Sequence, residues 1–436
     1  MNATLGFHPT IQSKIPFRDA GMENYMRNGY LKNRTRIVYW GFVTTILFFG
    51  IFLRFRDLDS VKSYYYDEVY HVPAAKMIAN GDARAYQWWH GELKEEIQPG
   101  TAIDWLHPPL AKFIQAVSIR FFGDNQWGWR FSSALMGAFL LITVFVLTRI
   151  VCPDHPWAAV LALTLAAVDG LAVAQSRICM NDIFVTFFMV LGALLYLSYL
   201  RKRSRYLLFL LALVCGCAVA SKWSGVFLLV FIAVWELIAV RRYRPKPAFR
   251  RRFLMLIFLG MVSVSVYLVA YSQLFAQHGF NHFIQLHRQI FNYQVGLNAT
   301  HPYSSKAWEW PLGLKPVYMY VDDETGMQVW NRPFYPAWYF GFIGLVSAMV
   351  ILLIPRKLLL STETKREKTP ASLFSDRRYH DLFFLVVAYF CFWIFWVASP
   401  RLLFFHHYLP AATMLWVITA LAFTILCECF RRRSRA

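Results

Sequence analysis

The sequence predicts an all-α polytopic membrane protein, a bundle of about ten transmembrane helices with long outer loops that carry interfacial helices. Three observations predict it. The 436 residues are 57% hydrophobic and only 16% charged, whereas a soluble domain carries about a quarter charged residues. The apolar residues gather into runs close to the ~20 residues that span a bilayer. The 45 Lys and Arg residues cluster at the ends of those runs, as cytoplasmic loop charges do. The formal net charge of +20 therefore reads as membrane topology, and no nucleic-acid partner is expected. Seven cysteines, mostly inside or beside apolar runs, imply no disulfide framework.

Residues 1–36 are polar and basic, without a signal-peptide core, and are expected to form a cytoplasmic tail. Arg34 and Arg36 fix the start of the first span, about 37–53, on the inside. A long first outer loop follows, 54–129. Its stretch "HPPLAKFIQAVSIRFFG" (107–123) is short and broken by Lys112 and Arg120, which suits an interfacial helix rather than a span. Spans two to four are expected at 130–149, 157–175 and 183–200, with the outer turn "SRICMND" between the last two. "RKRSR" (201–205) lies inside. Spans five and six, 206–220 and 225–240, flank the outer turn "SKWSG", and the basic run 241–252 lies inside again. Span seven (253–275) opens onto a second long outer loop, 276–336. Span eight (337–354) leads to a basic inside loop, 355–381. Spans nine and ten, 382–398 and 411–427, flank the outer turn "SPRLLFFHHYLP". The membrane domain thus covers 37–428, and 429–436 form a basic inside tail. Every strongly basic loop falls on one side in this scheme.

The same scheme collects Asp67, Glu68, His107, Arg130, Arg177, Asp182, Lys222 and Arg401 at the outer face. Ionisable groups near a bilayer are costly unless solvated or paired, so their convergence points to a site. Asp67 and Glu68 are adjacent, and neighbouring residues on a helix point about 100° apart. One carboxylate can face a site while the other holds the scaffold. In "HPPLAK" the prolines place His107 just before a helix start and Lys112 on its first turns. "HPYSSKAWEWPLGLKPVYMY" is rich in aromatic residues, which suit either an interfacial belt or a sugar-stacking surface. His278, His282 and His287 suit an amphipathic surface helix better than a metal site, because no HExxH-type carboxylate accompanies them.

"DEVYHVPAAKMIANGD", "HPPLAK", "WRFSSALMGA", "SRICMNDIF", "SKWSG", "HPYSSKAWEWPL" and "RLLFFHHYLP" occur in that order. In this the chain resembles the protein O-mannosyltransferase family, which uses dolichyl- or polyprenyl-phosphate mannose. The resemblance runs from about 60 to 425. It implies a GT-C-like membrane bundle and an inverting transfer of mannose to Ser/Thr hydroxyls of exported proteins. Eukaryotic members carry a lumenal MIR domain in the second outer loop; about sixty residues leave no room for one, as in a prokaryotic member. The resemblance implies that Asp67 is the catalytic base, with Glu68 and Asp182 as the accompanying acidic residues. Arg130, His107, Lys112, Arg177, Lys222 and Arg401 become candidates for holding the donor phosphate and sugar. His301, Tyr303, Trp308 and Trp310 become candidates for the acceptor and sugar loop. One departure is "IDWLHPP", where members often have an acidic residue two before the His and Asp104 here stands three before.

No cofactor is expected, since Arg or Lys can neutralise a leaving phosphate; metal assistance is left open. The expected partners are the lipid-linked donor, membrane lipid, secreted acceptor proteins and the secretion machinery that delivers them. The expected location is the plasma membrane, with the site facing outward. Two other readings remain. One is a related GT-C transferase for another sugar or a lipid acceptor. The other is a lipid-linked-sugar transporter, which calls for broken helices at the midplane and internal symmetry.

Overall fold

The computed structural model describes residues 33–89, 103–242, 247–297, 299–354, 370–399 and 401–433. Most of the N-terminal tail, part of the first outer loop, part of the 241–252 run, the loop 355–369 and the last three residues lie outside the described residues.

Fourteen α-helices carry the described chain: α1 Asn33–Phe55, α2 Glu68–Asn80, α3 Leu110–Phe122, α4 Gln126–Val151, α5 Pro156–Ala167, α6 Gly170–Ser176, α7 Asp182–Lys202, α8 Arg205–Ser221, α9 Val226–Arg242, α10 Pro247–Ala270, α11 Ser272–Gly296, α12 Tyr335–Leu353, α13 Pro370–Trp393 and α14 Leu409–Arg433. Eight helical segments are long and apolar enough to cross a membrane, and the bent pair α5–α6 makes a ninth. The 17-residue α8 is apolar but shorter. Each of the ten expected segments is thus helical, and the chain is a multi-span membrane protein.

Three features differ from expectation. The third segment is not one rod: α5 and α6 meet at a 60° bend. Asp169 breaks it by turning its carboxylate back onto the amide of Leu171 (3.0 Å), the local bond that makes Asp a helix starter. Carbonyls freed inside an apolar bundle need partners. Arg54, fully buried at the end of α1, donates to those of Ala166 (3.1 Å) and Ala167 (3.3 Å). Trp416 of α14 donates to the second Asp169 oxygen (3.1 Å). Next, the seventh segment stops at Ala270, and α11 then runs through much of the second outer loop. Finally, that loop also holds a small antiparallel hairpin, β1 Val317–Val321 and β2 Gln328–Asn331, added to an otherwise helical fold.

Polar contacts sort the two ends of the bundle. At one end Arg201 pairs with Asp381 (2.5 Å), while Arg378 and His155 pair with Glu428. These join the C-terminus of α7, the N-terminal half of α13 and the C-terminus of α14. The residues singled out around Asp67 lie at the other end. Glycines let the helices approach closely, as in membrane bundles generally. A Cβ at Gly344 of α12 would come within 2.2 Å of Thr419 on α14.

At the Asp67 end, α3 lies against both α2 and α4. The chain enters α2 through Tyr66, whose φ of 51° is left-handed, a conformation side chains other than glycine rarely take. Arg120 of α3 donates to the carbonyl of Ala79 (2.7 Å). Phe121 and Phe122 stay exposed on α3, as suits a helix lying against lipid.

Candidate active site

Glu68 and Arg130 form the scaffold of this end. All five guanidinium N–H groups of Arg130 are taken. Nε reaches Glu68 Oε1 (2.8 Å), and Nη2 reaches Glu68 Oε2 (2.7 Å) and the carbonyl of Ser63 (3.0 Å). Nη1 reaches the carbonyls of Leu58 (2.7 Å) and Val61 (2.8 Å). Glu68 also accepts from the amide of Cys179 (2.9 Å). Both side chains are fully buried. The pair therefore fastens the segment after α1 and the 176–182 turn to α4. Arg130, expected to bind the donor phosphate, has no donor left to offer it.

Asp67 is different. It is the residue just before α2, and no described side chain hydrogen-bonds or ion-pairs its carboxylate. Burial pushes its pKa up to about 6; the charges of Asp182 and Asp104 add to this, and those of His71 and Lys222 offset it. A carboxylate so placed is a stronger base than a solvated one.

Asp182 opens α7 and is gripped by Lys222, at 2.8 and 2.9 Å to its two oxygens. Both are buried. Lys222 also lines a cavity. That cavity, of about 240 Å³, is bounded by His107, Lys222, Trp223, Gln294, Trp396 and Arg401, among others. Arg401 donates to Gln294 through Nη1, and its Nε is buried without a partner. Three of the six expected phosphate or sugar contacts, His107, Lys222 and Arg401, thus share one cavity.

The other three are committed elsewhere. Besides Arg130, Lys112 is buried against Asp104, donating to its carbonyl and lying 3.3 Å from its Oδ2. Arg177 donates to the carbonyls of Leu53 (3.0 Å), Arg56 and Asp57 (3.2 Å), closing the end of α1.

Asp104, the residue of the departing motif, is central. His107 Nδ1 donates to its Oδ1 (2.8 Å), and His71 Nδ1 lies 3.0 Å from its Oδ2. Burial opposes its charge, yet His107, Lys112 and His71 hold its carboxyl well below the usual range. His71, Asp104 and His107 bring two nitrogens and a carboxylate oxygen within 4.8 Å of one another, so they are the described residues able to hold a metal. His71 went unnoticed in the sequence, although it lies one helical turn after Asp67. His406 was also missed; it is buried beside the Tyr66 ring at 6.0 Å, and its Nδ1 has no partner.

The expected acceptor residues divide. Trp308 is 55% exposed, and Ser304, Lys306, Glu309 and Arg401 line a cavity of about 550 Å³ beside it. His301 packs edge-on to Phe404 (5.1 Å), and Tyr303 lies against Tyr318 (5.9 Å). Trp310 is fully buried, donates to Ser305 Oγ (2.8 Å) and packs near His407, so it is core rather than a sugar-stacking surface. His278, His282 and His287 do lie on a helix, α11, kinked at Gly279. Their rings bond the carbonyls of Ala83, Tyr86 and Phe283.

Two family models match consecutive parts of the chain. One, described as dolichyl-phosphate-mannose-protein mannosyltransferase, matches 44–278. The other, the C-terminal four TMM region of protein-O-mannosyltransferase, matches 279–436. The polyprenol-phosphate-mannose--protein mannosyltransferase of Mycobacterium tuberculosis is 28% identical over 342 residues, 65% of this chain and 63% of that protein. The chain thus spans less than two thirds of that relative's length. The protein of the same name from Corynebacterium glutamicum is 22% identical over 385 residues, 72% of each. Among solved structures, the Saccharomyces cerevisiae protein O-mannosyltransferase Pmt1-Pmt2 complex bound to the sugar donor superposes with a TM-score of 0.70 at 14% identity, covering 89% of this chain and 85% of that one. ArnT from Cupriavidus metallidurans bound to undecaprenyl phosphate gives 0.58 at 14% identity, over 88% and 60%. Matched by the two models from residue 44 to its last residue, the chain belongs to the dolichyl-phosphate-mannose-protein mannosyltransferase family.

Proposed function

We propose that the protein moves mannose from a polyprenyl-phosphate carrier to Ser or Thr hydroxyls of exported proteins, with inversion at C1. The observation that carries this is the contrast between Asp67 and its neighbours. Among Asp67, Glu68, Asp104 and Asp182, only Asp67 has no described residue bonded to or paired with its carboxylate. It sits within electrostatic reach of a Lys222 that lines a cavity with Arg401.

The chemistry follows from this placement. Asp67 accepts the hydroxyl proton as the oxygen attacks C1, and such a base contributes about 10²–10⁴-fold. The bond from C1 to the phosphate oxygen breaks, and its electron pair leaves with the phosphate. Lys222 and Arg401 are the donors that meet the growing charge. One base and one displacement give inversion. The lipid tail stays in the bilayer and the sugar is presented at the end carrying Asp67, which faces outward from the plasma membrane. The acceptor comes from the secretion machinery and lies along the cavity beside Trp308. The mycobacterial and corynebacterial relatives carry the corresponding name.

The test is a reconstituted assay with purified protein, polyprenyl-phosphate mannose and a Ser/Thr peptide. A hexose added to the peptide, lost in Asp67→Asn, supports the reading. Transfer to a lipid acceptor, or of another sugar only, replaces it with the related-transferase reading.

A further inference from the structure

We propose that His71, Asp104 and His107 form a binding site for a divalent transition-metal ion, of the Zn²⁺ or Co²⁺ type, on the wall of the cavity. The first observation is the donor set. Two imidazole nitrogens and one carboxylate oxygen converge within 4.8 Å, a combination that suits borderline metals and not Ca²⁺ or Mg²⁺, which take oxygen ligands.

The second observation is independent of the first. His71 Nδ1 and Asp104 Oδ2 are both buried and lie 3.0 Å apart, yet neither makes a hydrogen bond. Buried polar atoms are nearly always bonded. Two of them so close are accounted for by a third body that both ligate. A cation there satisfies both. His107 binds through the same Nδ1 that otherwise donates to Asp104, its proton moving to Nε2, so each imidazole stays neutral.

The frame is rigid, as metal ligands require. The amide of Asp104 donates to the carbonyl of Tyr70 (3.1 Å), which fixes the link before α3 to the α2 turn that carries His71. Pro108 and Pro109 fix the chain after His107. Three protein ligands leave a fourth position for water. His107, with 22% of its side chain exposed, borders the 240 Å³ cavity, which gives the ion a way in. Lys112, 3.3 Å from Asp104 Oδ2, is the feature that opposes binding. Its ammonium competes with the cation for the carboxylate and sets a moderate affinity. The site does not rest on the reaction proposed above, since it is measured without substrate.

The experiment uses the 436-residue protein in detergent, stripped with a chelator and titrated with Co²⁺. Metal content and the visible Co²⁺ band are the readouts. About one ion per chain is expected, with binding weakened by more than ~10-fold in His71→Asn and Asp104→Asn. Lys112→Met is expected to bind several-fold more tightly. A double change of His278 and His282 to Asn is expected to leave binding unaltered. No ion retained by the wild type, or the same titration in His71→Asn and Asp104→Asn, overturns the site, as does loss of binding in the His278/His282 variant. Should the ligand variants not fold, X-ray absorption of the Zn²⁺-loaded wild type decides. A first shell with two imidazoles and one carboxylate supports the assignment, and fewer than two imidazoles overturns it.

Discussion

Lys222 Nζ lies 2.8 and 2.9 Å from the two oxygens of Asp182, tying the turn after α8 to the first residue of α7. Both groups are buried, so each is tolerable only because of the other. Removing one partner of such a pair costs about 3–5 kcal/mol, whereas replacing both is close to neutral. Lys222→Met and Asp182→Asn alone are expected to lower the thermal midpoint strongly, and the double variant to recover most of the loss. Equal destabilisation in all three variants, read by thermal unfolding in detergent, counts against the pairing.

Asp67→Asn keeps the shape of the side chain but cannot take a proton. Peptide transfer is expected to fall by roughly 10²–10⁴-fold, while binding of the lipid-linked donor, measured separately, stays near the wild-type value. Near-normal transfer by this variant moves the base to another carboxylate.

The raised pKa of Asp67, about 6, gives two pH effects. In the proposed reaction the ionised form is the base, so the acid limb of the kcat/KM profile is expected near pH 6, not near pH 4 as for an ordinary carboxyl. Stability runs the other way. The folded state holds this proton between pH ~4 and ~6 while the unfolded chain has lost it, so the contribution is full below ~4 and is lost as pH rises through 6. Asp67→Asn is therefore expected to raise the thermal midpoint at pH 7 and not at pH 4. An unchanged difference across that range rules this out.

Arg130 is a scaffold residue, with every donor already bonded. Arg130→Ala leaves Glu68 buried without its charge partner, at a cost of about 3–5 kcal/mol. Reduced folding yield and a lowered unfolding midpoint are expected. A fully stable Arg130→Ala protein that has lost only donor affinity returns Arg130 to the phosphate.

The helical bundle was legible because span length and basic-loop alternation are properties of composition along the chain. The pairing of Arg201 with Asp381 and of Arg378 with Glu428 at one end, with Asp67, Asp182 and Lys222 gathered at the other, follows that alternation. Which Arg or Lys stays free was not legible. Arg130, Lys112 and Arg177 share motif positions with Lys222 and Arg401. Their different fates depend on partner groups that lie from eight to over a hundred residues away in the chain. His71 shows the same limit, since its nearness to Asp104 needs α2 and the link before α3 side by side. Trp308 and Trp310 show it at two residues' separation, since one faces out and the other is core. Asp169 was readable in principle as a helix breaker inside an apolar run.

That break also sets an order for assembly. Its free groups are met by Arg54 from the first membrane helix and Trp416 from the last, so the bend is complete only when the final helix has been inserted. The turn from Ser176 to Asp182 follows directly from the bend and supplies Cys179 to Glu68 and Asp182 to Lys222. During synthesis the 176–182 turn is therefore expected to stay unset until α14 arrives. A chain cut before Phe405 is expected to be protease-sensitive across 176–182, and protection there without the last helix would disprove this order.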